Sequence, residues 1–269
     1  METTTLNLSI ETSQLTRAYG ALIAAEGVNI TLNAGSIFGL LGRNGAGKST
    51  TIKMLTTLLP PSSGKGTVAG FDITQAPQSV RRNIGYVPQV ISAEGSLTGY
   101  ENMLIFSKLY GIPGAIRRER IQEVLEYMGL TSVQDVLVQK YSGGMIRRLE
   151  IGLALLHKPP ILFLDEPTVG LDPLARETVW KHVLDLRDTM GTTIFMTTHQ
   201  MSEADELCDV IAIMHQGKIK AVGSPEELKA RIGPDATLYD VFAYYTTEHE
   251  ERGGFRDVVR TRITARRLG

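Results

Sequence analysis

The run Gly42-Arg43-Asn44-Gly45-Ala46-Gly47-Lys48-Ser49-Thr50 constrains this chain more than any other segment. It fits the pattern G-x-x-x-x-G-K-[ST], whose glycines let backbone N–H groups converge on an anion without obstruction from Cβ atoms. Lys48 is placed to reach the β- and γ-phosphates of a nucleotide, and the Ser49 hydroxyl to take one coordination position on Mg2+. A helix that starts here adds its positive end to the same anion. In isolation such a run is only a glycine-rich loop with a lysine, so the flanks decide. Ile37-Phe38-Gly39-Leu40-Leu41 reads as a buried strand and Lys48 to Leu59 as a helix, the strand–loop–helix context the motif needs.

Composition narrows the class. With 42% hydrophobic and 21% charged residues, the 269-residue chain is of the soluble globular kind, with enough length for a large core. A net charge of −1 leaves no electrostatic footprint for nucleic acid, which is not expected as a partner. The stretch Met1 to Ser13 is polar and threonine-rich, without the basic head and apolar run of a secretory signal. No segment approaches the roughly 18 apolar residues that span a bilayer, so a membrane role requires a separate partner. The single cysteine, Cys208, excludes a disulfide framework and a cysteine-based zinc site, and is expected to be a small buried residue on a helix. The cytosol is the expected compartment.

Alternating apolar residues at Leu6, Leu8 and Ile10, then Val28, Ile30 and Leu32, point to strands near the start. Pro60-Pro61 ends the first helix, Ser62 to Gly66 reads as a flexible turn, and strands are expected at Thr67 to Ala69 and Ile84 to Val87, with a short helix near Gln78 to Arg82 between them. From about residue 95 to 150 the pattern is helical. The stripes Met103-Leu104-Phe106-Leu109-Tyr110 and Ile121-Val124-Leu125-Met128 are expected to pack in the core, and a helix is expected from Gly143 to His157. Strands at 161–164, 192–197 and 210–214 then alternate with helices starting at Pro173 and Met201. Gln216-Gly217 makes a hairpin turn, and Ser224-Pro225-Glu226-Glu227 opens a capped helix. Such alternation implies a mostly parallel sheet that binds ligands at its carboxyl edge. Arg252 to Gly269 carries six arginines against one acidic residue, Asp257, and reads as a solvated tail; contact with an anionic membrane surface is its functional alternative.

The apolar strand Ile161-Leu162-Phe163-Leu164 ends in Asp165-Glu166. Carboxylates leaving a buried strand at that edge sit where a metal-bound nucleotide would lie. Asp165 suits the Mg2+ shell, and Glu166 suits polarising an attacking water.

Together these features resemble the nucleotide-binding domain of ATP-binding-cassette (ABC) proteins over roughly residues 5 to 245. The resemblance implies a P-loop NTPase (RecA-like) α/β core with an N-terminal antiparallel β subdomain and an inserted α-helical subdomain. It implies one domain over 1–247 and a basic C-terminal tail over 248–269. Tyr19 matches the aromatic that stacks on adenine, beside Gly42, Asn44, Gly45, Ala46, Gly47, Lys48, Ser49 and Thr50 around ATP. Tyr86-Val87-Pro88-Gln89 looks like the Q-loop, with Gln89 near Mg2+ and the water; Ser49, Gln89 and Asp165 form the implied metal set. Thr197-Thr198-His199 resembles the switch histidine, so Glu166, His199 and Gln89 are the implied catalytic group. Tyr141-Ser142-Gly143-Gly144-Met145 resembles the signature and Val169-Gly170-Leu171-Asp172 the D-loop; Ser142, Gly143, Gly144 and Asp172 would face ATP held by an opposing subunit. The signature departs from the commoner L-S-G-G-Q at Tyr141 and Met145, which puts in doubt any polar contact made by that glutamine.

These variations, with Arg147-Arg148-Leu149-Glu150 and Asp240-Val241-Phe242, look like the drug-resistance and antibiotic-export branch. The resemblance implies an ATPase subunit of an ABC-2 type exporter. It would act as a homodimer, or as a heterodimer with a related ATPase, on separate membrane permease subunits at the inner face of the cell membrane. The alternative is a soluble ABC ATPase with a non-transport task such as cofactor assembly. A DNA-repair or chromosome-organising ATPase is disfavoured, because no coiled-coil arm or zinc module separates Gln89 from Ser142.

Overall fold

Residues 8–247 are described in a computed structural model of the chain; the basic tail expected over 248–269 lies outside the described residues. The chain opens with an antiparallel unit: β1 (Leu8–Tyr19), β2 (Leu22–Val28) and β3 (Thr31–Asn33), in which β1 pairs with both others. It then enters the central sheet at β4 (Ile37–Leu41), whose residues are all buried, and continues into α1 (Lys48–Leu55). The helix stops four residues short of the expected end. Thr56 turns its hydroxyl onto the Ile52 carbonyl at 2.8 Å, and Thr57 adopts φ 61. A β-branched residue that satisfies a carbonyl with its own side chain favours termination over another helical turn.

Next come β5 (Ser63–Val68) and β6 (Phe71–Asp72), which complete the antiparallel sheet in the order β2-β1-β5-β6. Residues 63–66, expected as a turn, are strand: Ser63, Lys65 and Gly66 pair with Thr16, Ser13 and Thr12. The glycine at 64 misleads because it serves the strand. At φ +83 it lets β1 cross so closely that a Cβ would run into the Gln14 backbone.

Helix α2 (Pro77–Arg82) leads to β7 (Ile84–Val87), and the helical insert follows as α3 (Gly99–Leu109), α4 (Gly114–Tyr127), two 3-10 turns at 131–133 and 138–140, and α5 (Gly143–Leu155). Thr98 and Glu101 form a reciprocal capping box at the start of α3, while Ser142 caps α5 through the Met145 N–H at 3.3 Å. Helix α5 ends at Leu155, two residues before the expected His157. The apolar stripe of α4 is buried as expected. That of α3 is only partly so: Met103 is buried, but Leu109 is 75% exposed.

The remaining elements alternate: β8 (Ile161–Asp165), α6 (Pro173–Met190), β9 (Thr193–Thr198), α7 (Met201–Leu207), β10 (Val210–His215), β11 (Lys218–Gly223), α8 (Pro225–Ala230) and α9 (Leu238–Thr246). Cys208 lies one residue beyond α7, not on it. It is a buried free thiol whose pKa is pushed well above the usual range, by burial first and then by Glu203 and Asp209.

The central sheet runs β11-β10-β4-β9-β8-β7, parallel except for the edge strand β11. Its two faces feed separate cores. Ile37 and Leu41 join α3–α7 and α9 on one side; Phe38 and Leu40 join α1 and the antiparallel sheet on the other. Phe38, Phe195 and Phe163 occupy matching register on β4, β9 and β8, with ring centroids 5.0 and 5.4 Å apart. The order β4-β9-β8-β7 brings four strands' carboxyl ends to one edge.

Candidate active site

Each of those four ends delivers a segment singled out by sequence. Strand β4 runs into the phosphate loop, which is tied to β9 by the Gly42 N–H donating to the Thr198 carbonyl at 3.1 Å. Gly47 caps α1 at φ 108; a Cβ there would collide with the Ala24 carbonyl and come within 2.7 Å of Met214 Cε. Only glycine fits. Strand β8 ends in Asp165-Glu166, β9 leads to His199, and β7 leads to Gln89.

Glu166 is where these segments meet. One carboxylate oxygen lies 3.0 Å from Lys48 Nζ, and the other lies 3.1 Å from His199 Nδ1 and 3.5 Å from Gln89 Nε2. The backbone of Glu166 adopts φ 50, a conformation unusual for a side chain of this size, and is fixed there by its N–H donating to Thr197 Oγ1 at 3.0 Å. Lys48 is 4% exposed. Its ammonium also donates to the carbonyls of Gly42 (2.8 Å) and Arg43 (3.3 Å), so the cation stays solvated by the loop that would hold the phosphates.

Asp165 sits one step back, 3% exposed, accepting from Thr197 Oγ1 at 2.6 Å and Ser49 Oγ at 3.3 Å. Burial, followed by the Asp165 charge, pushes the nearby Tyr86 phenol up to about 12. A buried carboxylate facing a serine hydroxyl is a hard oxygen donor pair. Among the described residues no three His, Cys, Asp or Glu side chains cluster as a metal cage. This set fits a cation that keeps waters and takes substrate phosphate oxygens, which is the habit of Mg2+.

A cleft of about 690 Å3 opens beside this edge. Tyr19, Leu22, Ile23, Ala24, Asn44 to Thr50, Gln89, Glu166, Gln216 and Gly217 line it. Its volume suits a nucleotide-sized ligand. Tyr19 is 46% exposed at its mouth, with the Arg17 guanidinium 4.8 Å from the ring centroid. One ring face is thus occupied by a cation, and the same residue lines the cleft.

The structure does not bring every candidate to this cleft. Ser142, Gly143, Gly144 and Asp172 are absent from its lining; so are Asp165 and His199, but these two reach it through Ser49 and Glu166. Ser142 and Asp172 are exposed N-caps of α5 and α6, Gly143 is exposed, and Gly144 is buried against Ala175. Gly42 contributes through its carbonyl on Lys48. Several contributors were given no site role by the sequence. Thr197 anchors both acidic residues, and Arg17 backs Tyr19. The turn Gln216-Gly217, legible only as a hairpin, forms a wall through the Gly217 N–H on the Ala46 carbonyl at 2.9 Å.

Proteins of similar sequence and fold are known. The ABC transporter family profile matches residues 25–169. The daunorubicin/doxorubicin resistance ATP-binding protein DrrA of Streptomyces peucetius is 45% identical over 225 residues, spanning 84% of this chain and 68% of that protein. The linearmycin resistance ATP-binding protein LnrL of Bacillus subtilis (strain 168) is 42% identical over 229 residues, spanning 85% and 73%. Among solved structures, an ATP-binding subunit of an ABC transporter superposes with a TM-score of 0.78 at 30% identity, covering 88% of this chain and 99% of that one. The ATP-binding cassette MJ0796, solved as a dimer in a post-hydrolysis state bound to ADP and Pi, gives 0.72 at 25% identity, covering 80% and 98%.

Proposed function

The chain belongs to the ABC transporter family of ATP-binding proteins and is an ATPase, and from that premise we propose that it powers an ABC-2 type exporter by closing head to tail around ATP with a second ATPase subunit. The observation that carries the reading is the meeting of Lys48, His199 and Gln89 on Glu166 beside a cleft that contains Tyr19 but not Ser142. In this reading the remaining part of the phosphate site comes from the opposing subunit.

In this reading adenine stacks on Tyr19, and the backbone of Gly42 to Thr50 with Lys48 holds the β- and γ-phosphates. Ser49, Asp165 and Gln89 would hold Mg2+, which would supply charge neutralisation at the phosphate oxygens. Glu166 accepts a proton from the attacking water as its oxygen bonds to the γ-phosphorus. The bond to the bridging oxygen breaks, leaving ADP and phosphate. His199 and Gln89 orient that water and the γ-phosphate. Ser142, Gly143, Gly144 and Asp172 of the opposing subunit complete the γ-phosphate site, with the positive end of α5 aimed at it. ATP thereby stabilises the closed pair, and hydrolysis removes the link.

Membrane permease subunits, as separate chains, dock beside Gln89 and the helical insert. Val90 (78%) and Ile91 (59%) are exposed immediately after Gln89, and these apolar side chains support such docking. Among the described residues no helix is long and apolar enough to cross a membrane. The drug-resistance relatives support export and a place on the inner face of the cell membrane. The test is the molar mass by light scattering with a non-hydrolysable ATP analogue and Mg2+, with and without co-expressed permease. Doubling is expected. A single-chain mass under all these conditions would overturn the proposal.

A further inference from the structure

Two buried charges on α5 have no part in the reaction described above. Arg147 is 6% exposed and Glu150 is 2% exposed, one helical turn apart, and both turn toward the loop that follows β7. Arg147 Nη1 donates to the Pro88 carbonyl at 2.9 Å, and Nη2 approaches the Gln89 carbonyl at 3.5 Å. Glu150 Oε1 accepts from both the Ser92 N–H (2.5 Å) and the Ser92 hydroxyl (3.0 Å). The loop from Pro88 to Ser92 is therefore gripped at both ends by one turn of one helix.

The two gripping residues also hold each other. Arg147 Nη1 and Glu150 Oε2 are 3.1 Å apart and Oε2 accepts no hydrogen bond, so the attraction is Coulombic. Burial lowers the Arg147 pKa, while the charges of Glu150, Asp165 and Glu203 act to raise it. Its guanidinium thus lies in the field of three buried acidic residues.

Burying a charged pair is a costly way to pack a helix, and an apolar pair of similar volume would hold α5 as well. A rigid link between moving parts is a different requirement. Ser142 caps the amino end of α5, and the gripped loop carries Gln89, whose amide reaches Glu166. We infer that Arg147 and Glu150 are positioning residues that make the signature end of α5 and Gln89 move as one piece, so that engagement of Ser142 by the opposing subunit sets Gln89 within its own cleft. This inference rests on the proposed role of Gln89 in hydrolysis.

The test is a cycle of the full-length chain comparing wild type, Gln89→Ala, the apolar pair Arg147→Met/Glu150→Leu, and their combination. The readouts are ATPase kcat and KM, equilibrium ATP affinity and Tm. The apolar pair is expected to lower kcat about tenfold with ATP affinity held within about twofold. In the Gln89→Ala background it should lower kcat by less than about twofold more, because the residue it positions is gone. If the two losses multiply, the pair is merely structural and the inference fails. A Gln89→Ala variant with wild-type kcat would instead refute the role given to Gln89. Should the apolar pair not fold, Ser92→Ala removes only the hydroxyl bond to Glu150. It is expected to lower kcat about two- to threefold, and that loss should vanish beside Gln89→Ala.

Discussion

Replacing Glu166 by glutamine isolates the chemistry from the architecture. The side chain keeps its length. The amide oxygen can still face Lys48 across the present 3.0 Å, and the amide N–H can donate to His199 Nδ1 across the present 3.1 Å when the imidazole proton is on Nε2. Removing one partner of a buried ion pair commonly costs about 3–5 kcal/mol. Here Lys48 retains the Gly42 and Arg43 carbonyls, so a loss of about 1–2 kcal/mol is expected. The chemistry has no such reserve. An amide does not take the proton from water, and loss of a positioned base lowers turnover by about 10²–10⁴, or about 3–5 kcal/mol of barrier. Phosphate release at saturating ATP and Mg2+ should therefore collapse, while equilibrium ATP binding stays near wild type and the closed dimer accumulates. A kcat within about threefold of wild type, with binding unchanged, would refute the assignment of Glu166.

Tyr19→Ala should weaken ATP binding by about 5- to 100-fold and Tyr19→Trp should restore it, as a stacking platform requires; equal affinities in an equilibrium binding assay would remove Tyr19 from the site. Gly64→Ala places a side chain at φ +83 against the Gln14 backbone and should cost about 2–4 kcal/mol in urea unfolding, without a direct effect on ATP contacts. His157 is held below the ordinary histidine pKa chiefly by burial; its Nε2 bonds the Ile84 carbonyl at 3.0 Å, its Nδ1 has no partner, and its ring stacks on Tyr110 at 4.1 Å. The unfolded chain therefore takes up this proton first as pH falls. The stability from neutral His157 is intact above the ordinary histidine pKa and declines as pH drops through it toward the folded value. Between about pH 7.5 and 5.5, Tm should fall less for His157→Gln than for wild type.

Sequence was most readable where a local rule leaves one solution. The phosphate loop marked its flanking strand and the start of its helix, an unbroken apolar run ending in Asp165-Glu166 marked a strand buried on both faces, and Gly143, Pro173 and Ser224-Pro225 marked helix starts that the structure contains. It misled where one residue type serves two purposes. Gly64 has the composition of a turn but the task of a close strand crossing, and Thr56 has the pattern of a helix but a hydroxyl that ends it. It was silent where meaning comes from distance. Arg147 and Glu150, spaced like any helix charge pair, gain their role from a loop some sixty positions earlier, the Arg147–Pro88 separation being 59. Leu109 has the spacing of a core residue, and only the packed helices leave it outside.

The three phenylalanines in matching register on β4, β9 and β8 have a consequence for packing. The Phe38 and Phe195 rings are stacked and Phe163 is tilted by 42° against Phe195, so ring packing crosses three adjacent strands on the face shared with α1. Shortening any one of the three rings should therefore open a cavity beneath α1, the helix that begins at the phosphate loop.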